Sequence, residues 1–207
     1  MTEIRAVVFD VGKVLIEWQP ENHYDRIVGP ARRRAFFDAF DFYGLMLRID
    51  AGAPFATTVS AAAAAHPDWA EELHILRDRW CDLAQPPIAR SVRLMQAVKA
   101  RGLQIFILSN FGADNFAQSA AQFDFLRDAD RHYISARMGL CKPDPAIYAA
   151  VERDSGLAPD ALLFVDDKSE NVEAARTRGW HAHLFETAAG WADCLVDAGL
   201  LTRGEAA

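Results

Sequence analysis

Short apolar segments rich in Val, Ile and Phe alternate along the chain with longer segments of helical periodicity. This alternation is typical of a parallel sheet whose two faces are covered by helices. Three strong strands are predicted at residues 6–9, 104–108 and 161–165, and two weaker ones at 132–134 and 181–185. The pattern therefore predicts an α/β fold with a doubly wound, Rossmann-like parallel sheet.

The stretch from about residue 17 to residue 87 differs, because it has helical spacing and no strand signal. Its periodic apolar positions are Phe36, Phe37, Phe40, Trp69, Leu73, Leu76, Trp80 and Leu83. We expect most of these side chains to pack helix against helix. The predicted organisation is an α/β core at 1–16 and 88–207 with an inserted helical cap at 17–87. Five cap residues are considered for substrate contacts: Trp18, Asn22, Phe42, Tyr43 and Arg48.

Local signals predict where some core helices begin and end. Ile88, Val92, Met95 and Val98 form one helical stripe that Gly102 closes, and Ser169 is predicted to cap a later helix. Residues 204–207 are expected to be a frayed tail.

Composition narrows the class of protein. The 207 residues are 51% hydrophobic and 25% charged, as in ordinary globular chains. The net charge of −7 disfavours nucleic acid as a partner, and we expect the one basic run, at 32–34, to lie on a solvated helix face. No apolar run is long enough to span a membrane, residues 1–5 lack the features of a signal peptide, and the three cysteines have no metal or redox spacing. A cytoplasmic location is therefore expected, with monomer or homodimer left open.

Polar residues follow each strong predicted strand. Asp10 follows the first, Ser109 and Asn110 the second, and Asp166 and Asp167 the third. In open parallel sheets these strand ends form the ligand site, so three carboxylates should converge there. At an effective dielectric near 20, each close pair of like charges costs about 4 kcal/mol, so a cation must offset the repulsion. Mg²⁺ suits such oxygen ligands.

A second cation is expected from Lys142. It lies in the segment Cys141–Pro145, where Asp144 can cap a helix that starts at Pro145. The lysine would then sit on a stiff loop beside the carboxylates.

These motifs, in this order, resemble those of the haloacid dehalogenase superfamily, in its phosphatase-like branch with a helical C1-type cap. The four matching segments are Phe9–Leu15, Leu108–Asn110, Lys142–Tyr148 and Phe164–Asp167 followed by Asn171. The resemblance implies a Mg²⁺-dependent hydrolase of small phosphorylated metabolites, a sugar phosphate being one candidate. It also implies an aspartyl-phosphate intermediate. From charge and hydropathy we expect no nucleic-acid or membrane partner.

The resemblance assigns roles to individual residues. Asp10 would be the nucleophile, Ser109 and Lys142 would act on the phosphoryl group, and Ser109, Asn110 and Lys142 would bind substrate. The Mg²⁺ ligands would be Asp10, the Gly12 carbonyl, Asp166 and Asp167, the last directly or through water. Asn171 would play a supporting part.

The chain departs from the family pattern at Gly12, where family phosphatases usually carry a second aspartate that protonates the leaving group. That contribution, typically about 10²–10⁴ in rate, is absent or comes from elsewhere. Lys13, Glu17 and His23 lie near in sequence, but each is expected to be a loop or surface residue. A good leaving group, such as an anomeric sugar phosphate or an acyl phosphate, would need the least help.

Two other functions remain open. A 2-haloacid dehalogenase would need no acid at Gly12, but family dehalogenases work without Mg²⁺ and usually lack the pair Asp166–Asp167. A protein that binds a phosphorylated ligand without turnover would also tolerate Gly12. The presence of both Asp10 and Lys142 disfavours that alternative.

Overall fold

A computed structural model of the chain describes residues 3–207. Met1 and Thr2, on which part of the signal-peptide expectation depends, lie outside the described residues, as does the very start of the predicted core. Within residues 3–207, no helix combines the length and the apolar character that crossing a bilayer requires.

Five parallel strands form one sheet in the order β3-β2-β1-β4-β5. They are β1 (Ala6–Phe9), β2 (Gln104–Ser109), β3 (Arg131–Ile134), β4 (Leu162–Asp166) and β5 (His181–Leu184). All five predicted strands are present within one or two residues of the expected bounds. Apart from Gln104, Ser109 and Asp166 at their ends, the strong strands are apolar because both of their faces are covered.

Thirteen helices are found within the described part of the chain. Six of them lie between β1 and residue 88: α1 (Pro20–Ile27), α2 (Pro30–Ala39), α3 (Phe42–Asp50), α4 (Phe55–Ala65), α5 (Ala70–Asp78) and α6 (Trp80–Leu83). The others are α7 (Ala89–Ala100), α8 (Ala113–Gln122), α9 (Asp124–Arg127), α10 (Ser135–Met138), α11 (Pro145–Ser155), α12 (Ser169–Thr177) and α13 (Ala188–Asp197). Two short 3₁₀ turns lie at Pro67–Trp69 and Pro159–Ala161.

Alternate residues of the strands bury into two separate apolar clusters. Val7 and Phe9 of β1 contribute to one cluster, whereas Ala6 and Val8 contribute to the other. This two-sided burial is what a doubly wound sheet requires, and the predicted fold class is confirmed.

The insertion between β1 and α7 is helical, as predicted, and its aromatic side chains pack against one another. Tyr24 and Phe36 are fully buried at its centre, with ring centroids 5.6 Å apart, and the Tyr24 hydroxyl donates to the Glu72 carbonyl at 2.7 Å. The buried residues of the insertion belong to the same apolar cluster as one face of the sheet. The division into core (1–16 and 88–207) and cap (17–87) stays a prediction.

One local expectation is right in part and two are wrong. The predicted helix α7 is present and buries Met95 and Val98, together with Ser91 and Leu94, whereas Ile88 precedes the helix and Val92 is only half-buried. Ser169 is the first residue of α12 rather than its cap, because Lys168 occupies the cap position. The C-terminus is anchored, since Ala206 is 5% exposed and its carbonyl accepts a hydrogen bond from Arg90 at 3.2 Å.

The basic run at 32–34 serves the insertion itself. Arg32 pairs with the buried Glu72 at 2.5 Å and stacks on Trp69, and Arg33 pairs with Asp25 at 2.8 Å. Two of the three arginines in this run therefore form ion pairs within the helical insertion. The three cysteines carry free thiols.

Candidate active site

The polar residues that follow the central strands lie at one edge of the sheet. β1 pairs with β2 and with β4, and Phe9 stands opposite both Ile107 and Val165. Asp10 therefore emerges between Ser109, which ends β2, and Asp166, which ends β4. The predicted convergence of these strand ends is what the structure has.

Lys142 joins the carboxylates of the first and fourth motifs. Its Nζ donates to Asp10 Oδ1 at 2.8 Å and to Asp166 Oδ2 at 2.5 Å, and the three residues are 5%, 7% and 0% exposed. Burial alone would lower the pKa of Lys142, but the two carboxylates outweigh it and hold that pKa above its ordinary value. The lysine is therefore a fixed positive charge at the base of the site.

Two side chains, Asp144 and Asn110, hold the loop that carries this lysine. Asp144 caps α11, its Oδ1 accepting from the Ala146 N–H at 2.8 Å, and Pro145 occupies the first turn. Asn110 Nδ2 donates to the Lys142 carbonyl, while Asn110 Oδ1 accepts from the Lys142 N–H, both at 2.8 Å. Both polar atoms of the Asn110 side chain thus hydrogen-bond the Lys142 backbone.

Asp166 is fixed from its other side. Its Oδ1 accepts from the Lys168 N–H at 2.8 Å and from Asn171 Nδ2 at 2.9 Å. Asn171 is itself buried in the first turns of α12. Asn171 thus contacts Asp166 directly, and its supporting part in the reaction stays a prediction.

Asp10, Asp166 and Asp167 form an oxygen cluster, in which one carboxylate oxygen of each lies within 4.8 Å of the others. Burial raises the pKa of Asp10, with Lys142 opposing the effect and Asp166 adding to it. Burial, and then the charges of Asp10 and Asp166, raise the pKa of Asp167 to about 6. The single positive charge of Lys142 therefore does not offset the negative charge of the three carboxylates. Their all-oxygen donor set fits a hard divalent cation such as Mg²⁺.

Ser109 and Gly12 complete the immediate surroundings of Asp10. Ser109 is 2% exposed and its hydroxyl hydrogen-bonds the Asp10 carboxylate. Gly12 borders the cavity above Asp10. The next residue, Lys13, adopts the left-handed conformation at φ 59°, and its backbone N–H donates to the Ile16 carbonyl at 2.7 Å, which closes the loop tightly.

A cavity of about 510 Å³ lies over these residues, between the sheet edge and the insertion. Of the five cap residues considered from the sequence, Trp18 and Tyr43 line it, Phe42 is buried, and Asn22 and Arg48 are exposed elsewhere. Among the residues weighed as substitutes for an acid at Gly12, Glu17 lines the cavity, whereas His23 is buried in α1 and does not.

Asp50 was not predicted from the sequence, yet it lines the same cavity. It is the last residue of α3, within the insertion and far along the chain from every motif. Met46 and Leu47 of the same helix also line the cavity and were likewise missed. No local pattern distinguishes these residues from others on amphipathic helices.

Fold and site together define a Rossmann-like α/β enzyme whose site is centred on an aspartate. The chain belongs to the haloacid dehalogenase-like hydrolases, whose sequence model matches residues 4–179. The family predicted from the motifs is therefore confirmed.

Comparisons with individual proteins agree with this family. A phosphatase of Mycobacterium tuberculosis is 32% identical over 103 residues, which are 49% of this chain and 48% of that protein. The chain thus spans about half the length, or less, of the first curated relatives that it matches.

Two solved structures have the same fold. A haloacid dehalogenase family enzyme of Bacteroides thetaiotaomicron, in complex with magnesium and inorganic phosphate, has a TM-score of 0.67 at 20% identity and covers 87% of this chain and 93% of its own. L-2-haloacid dehalogenase of Xanthobacter autotrophicus has a TM-score of 0.62 at 23% identity, with 97% and 85% covered. At these identities the likeness is one of fold.

Proposed function

We propose that this protein is a Mg²⁺-dependent phosphomonoester hydrolase that acts on a small phosphorylated metabolite through an aspartyl-phosphate intermediate. The observation that carries the proposal is the buried cluster in which Lys142 bridges Asp10 and Asp166 while Asp167 lies alongside. A site with this excess of negative charge needs a divalent cation, and with that cation it suits a phosphate group.

Each residue has a task in this reaction. Asp10 attacks the phosphorus, and Lys142 and Ser109 stabilise the charge on the phosphoryl oxygens. Asp10, the Gly12 carbonyl, Asp166 and Asp167 are the residues that would hold Mg²⁺. When bound, Mg²⁺ supplies Lewis-acid polarisation of the phosphoryl group and favours the ionised form of Asp10. Asn110 acts through the Lys142 loop rather than on the substrate.

The cavity supports a small substrate. Its volume of about 510 Å³ lies within the range of small-molecule sites, roughly 300–1,000 Å³. The names of the phosphatase relative and of the magnesium and phosphate complex support the same class of reaction. Sugar phosphates and acyl phosphates are the first substrates to test, because their leaving groups need the least protonation.

The test is a panel of phosphorylated metabolites and 2-haloacids, assayed with Mg²⁺ or with EDTA on the wild type and on Asp10→Asn. We expect phosphate release that requires Mg²⁺ and disappears in Asp10→Asn. Exposed Asp38 provides a matched control, because Asp38→Asn should behave as the wild type. Halide release in EDTA would instead indicate a dehalogenase, and binding of phosphate compounds without any turnover would indicate a binding protein.

A further inference from the structure

We propose that Asp50 is the general acid and base of the reaction, supplied by the helical insertion in place of a carboxyl at Gly12. This rests on the proposed phosphatase function and names a residue that carries out its proton transfers. Two geometric observations support it, the position of Asp50 and the way that it is held, and the charges around it agree with them.

Asp50 shares a cavity with the reacting groups. It lines the space that also borders Asp10, Ser109 and Lys142. α3 ends at Asp50, so this carboxyl marks the place where the insertion meets the rim of the sheet. A substrate with its phosphorus at Asp10 would have its leaving group in the cavity that Asp50 lines.

Asp50 is anchored to the rim at both its backbone and its side chain. The Ser135 hydroxyl donates to the Asp50 carbonyl at 2.6 Å, directly after β3. The Gly112 N–H hydrogen-bonds the Asp50 carboxylate, and Gly112 leads from Asn110 into α8. The carboxyl is therefore positioned by the same loops that position Ser109 and Lys142, as a proton donor must be.

The surroundings of Asp50 allow it to hold and to release a proton near neutral pH. Burial raises the pKa of the Asp50 carboxyl to about 7, and the charge of Asp10 adds to this effect. Lys168, Lys142 and the Gly112 N–H oppose it. Because both protonation states are then populated, the same group can act first as acid and later as base.

Other carboxylates in the cavity have different partners. Glu17 accepts from the Gln19 amide at 2.9 Å, and Glu21 accepts from the Tyr43 hydroxyl. Both belong to the segment at the start of the insertion and neither is held by the loops at the rim of the sheet. Glu17 therefore serves as the matched control for Asp50.

The proposed steps balance. An Asp10 oxygen forms a bond to phosphorus, the ester P–O bond breaks, and the proton of Asp50 passes to the departing oxygen. Water then attacks the aspartyl-phosphate and gives a proton to the Asp50 carboxylate. The bond between phosphorus and Asp10 breaks, which releases inorganic phosphate and restores both side chains.

The experiment compares two esters of similar size, p-nitrophenyl phosphate and benzyl phosphate, on the holoenzyme with Mg²⁺. p-Nitrophenolate leaves without a proton, whereas benzyl alcohol needs one. In Asp50→Asn we expect kcat/KM for benzyl phosphate to fall about 10²–10⁴-fold and kcat/KM for p-nitrophenyl phosphate to fall less than about tenfold. Asn keeps an acceptor for the Gly112 N–H, and an unchanged thermal unfolding midpoint verifies the fold.

The pH profile and a second substitution give further readouts. In the wild type, kcat/KM for benzyl phosphate should fall as pH rises above about 7, because the acid form is lost, and Asp50→Asn should lack this decline. Adding Gly12→Asp to Asp50→Asn should restore benzyl phosphate hydrolysis, since a Cβ at Gly12 would come no closer than 3.8 Å to the Trp18 Cβ.

An equal loss on both esters, no loss on benzyl phosphate, or the same selective loss in Glu17→Gln would overturn the assignment of Asp50. Failure of the proposed function looks different: p-nitrophenyl phosphate hydrolysis would then survive in Asp10→Asn. The two hypotheses can thus fail separately.

Discussion

Among the individual side chains, Asn110 has the contacts of a positioning residue. The resemblance assigned it to substrate binding, but its amide makes a reciprocal pair of hydrogen bonds, both 2.8 Å, with the Lys142 backbone. Loss of both hydrogen bonds should allow the Lys142 loop to move away from Asp10. Because small displacements of a charge-stabilising group are costly, the main effect should fall on turnover.

We expect Asn110→Ala to lower kcat for p-nitrophenyl phosphate about 10–100-fold while KM changes much less. Steady-state kinetics measure both parameters. Asn22→Ala removes an exposed asparagine amide away from the cavity and should match the wild type. A raised KM with unchanged kcat would show that Asn110 contacts the substrate instead.

Among the helices, two N-caps separate stability from catalysis. Asp144 caps α11 two residues after Lys142, accepting from the Ala146 N–H at 2.8 Å. Thr187 caps α13 and accepts from the Gly190 N–H at 3.1 Å. Thr187 is not among the residues that line the cavity. The two caps make the same type of bond, and only one adjoins the site.

Replacing either cap with alanine should lower the free energy of unfolding by about 1 kcal/mol, measured by urea denaturation. Asp144→Ala should also lower kcat, because the start of α11 holds the Lys142 loop, whereas Thr187→Ala should leave kcat unchanged. Equal kcat values in the two variants would mean that the loop is held without its cap.

For the protein as one cooperative unit, the carboxylate cluster couples folding to pH and to Mg²⁺. The pKa of Asp167 is raised to about 6, and that of Asp10 is also raised. A raised carboxyl pKa favours folding at low pH, and this contribution is lost as pH rises through the folded-state pKa. Ionisation at neutral pH therefore destabilises the metal-free protein, and Mg²⁺ should offset the loss.

We expect Mg²⁺ to raise the thermal unfolding midpoint more at pH 8 than at pH 5, because protons compete with the cation at low pH. At a concentration of 100 times Kd the stabilisation is about 2.7 kcal/mol. Burial lowers the pKa of His23 and of His183, so their contribution to stability is lost as pH falls. Comparing samples with and without Mg²⁺ at each pH cancels that opposing effect.

In Asp167→Asn, the rise in unfolding midpoint caused by Mg²⁺ should differ less between pH 8 and pH 5 than in the wild type. Asp38→Asn, at an exposed position, should behave as the wild type. An equal Mg²⁺ effect at pH 5 and pH 8 would contradict a binding site made of these carboxylates.

The strands and the residues at their ends could be predicted from the local pattern of amino acids. Val7, Val8 and Phe9 are apolar without alternation because both faces of β1 are covered. Such a continuous apolar run can be recognised from neighbouring residues in the sequence. Since parallel strands end at one edge, Asp10, Ser109 and Asp166 had to lie together once the sheet was predicted. The order of the motifs then indicated the family.

The contacts among the groups at that edge depend instead on tertiary packing between distant segments. Lys142 reaches Asp10 across 132 positions of the chain, and Asn110, which lines the cavity, uses its amide to hydrogen-bond the Lys142 backbone. Asp50 reached the cavity because of how the insertion packs on the sheet. Helical periodicity shows which face of α3 is buried, but the end of α3 that meets the rim depends on contacts made by Gly112 and Ser135, which are distant in sequence.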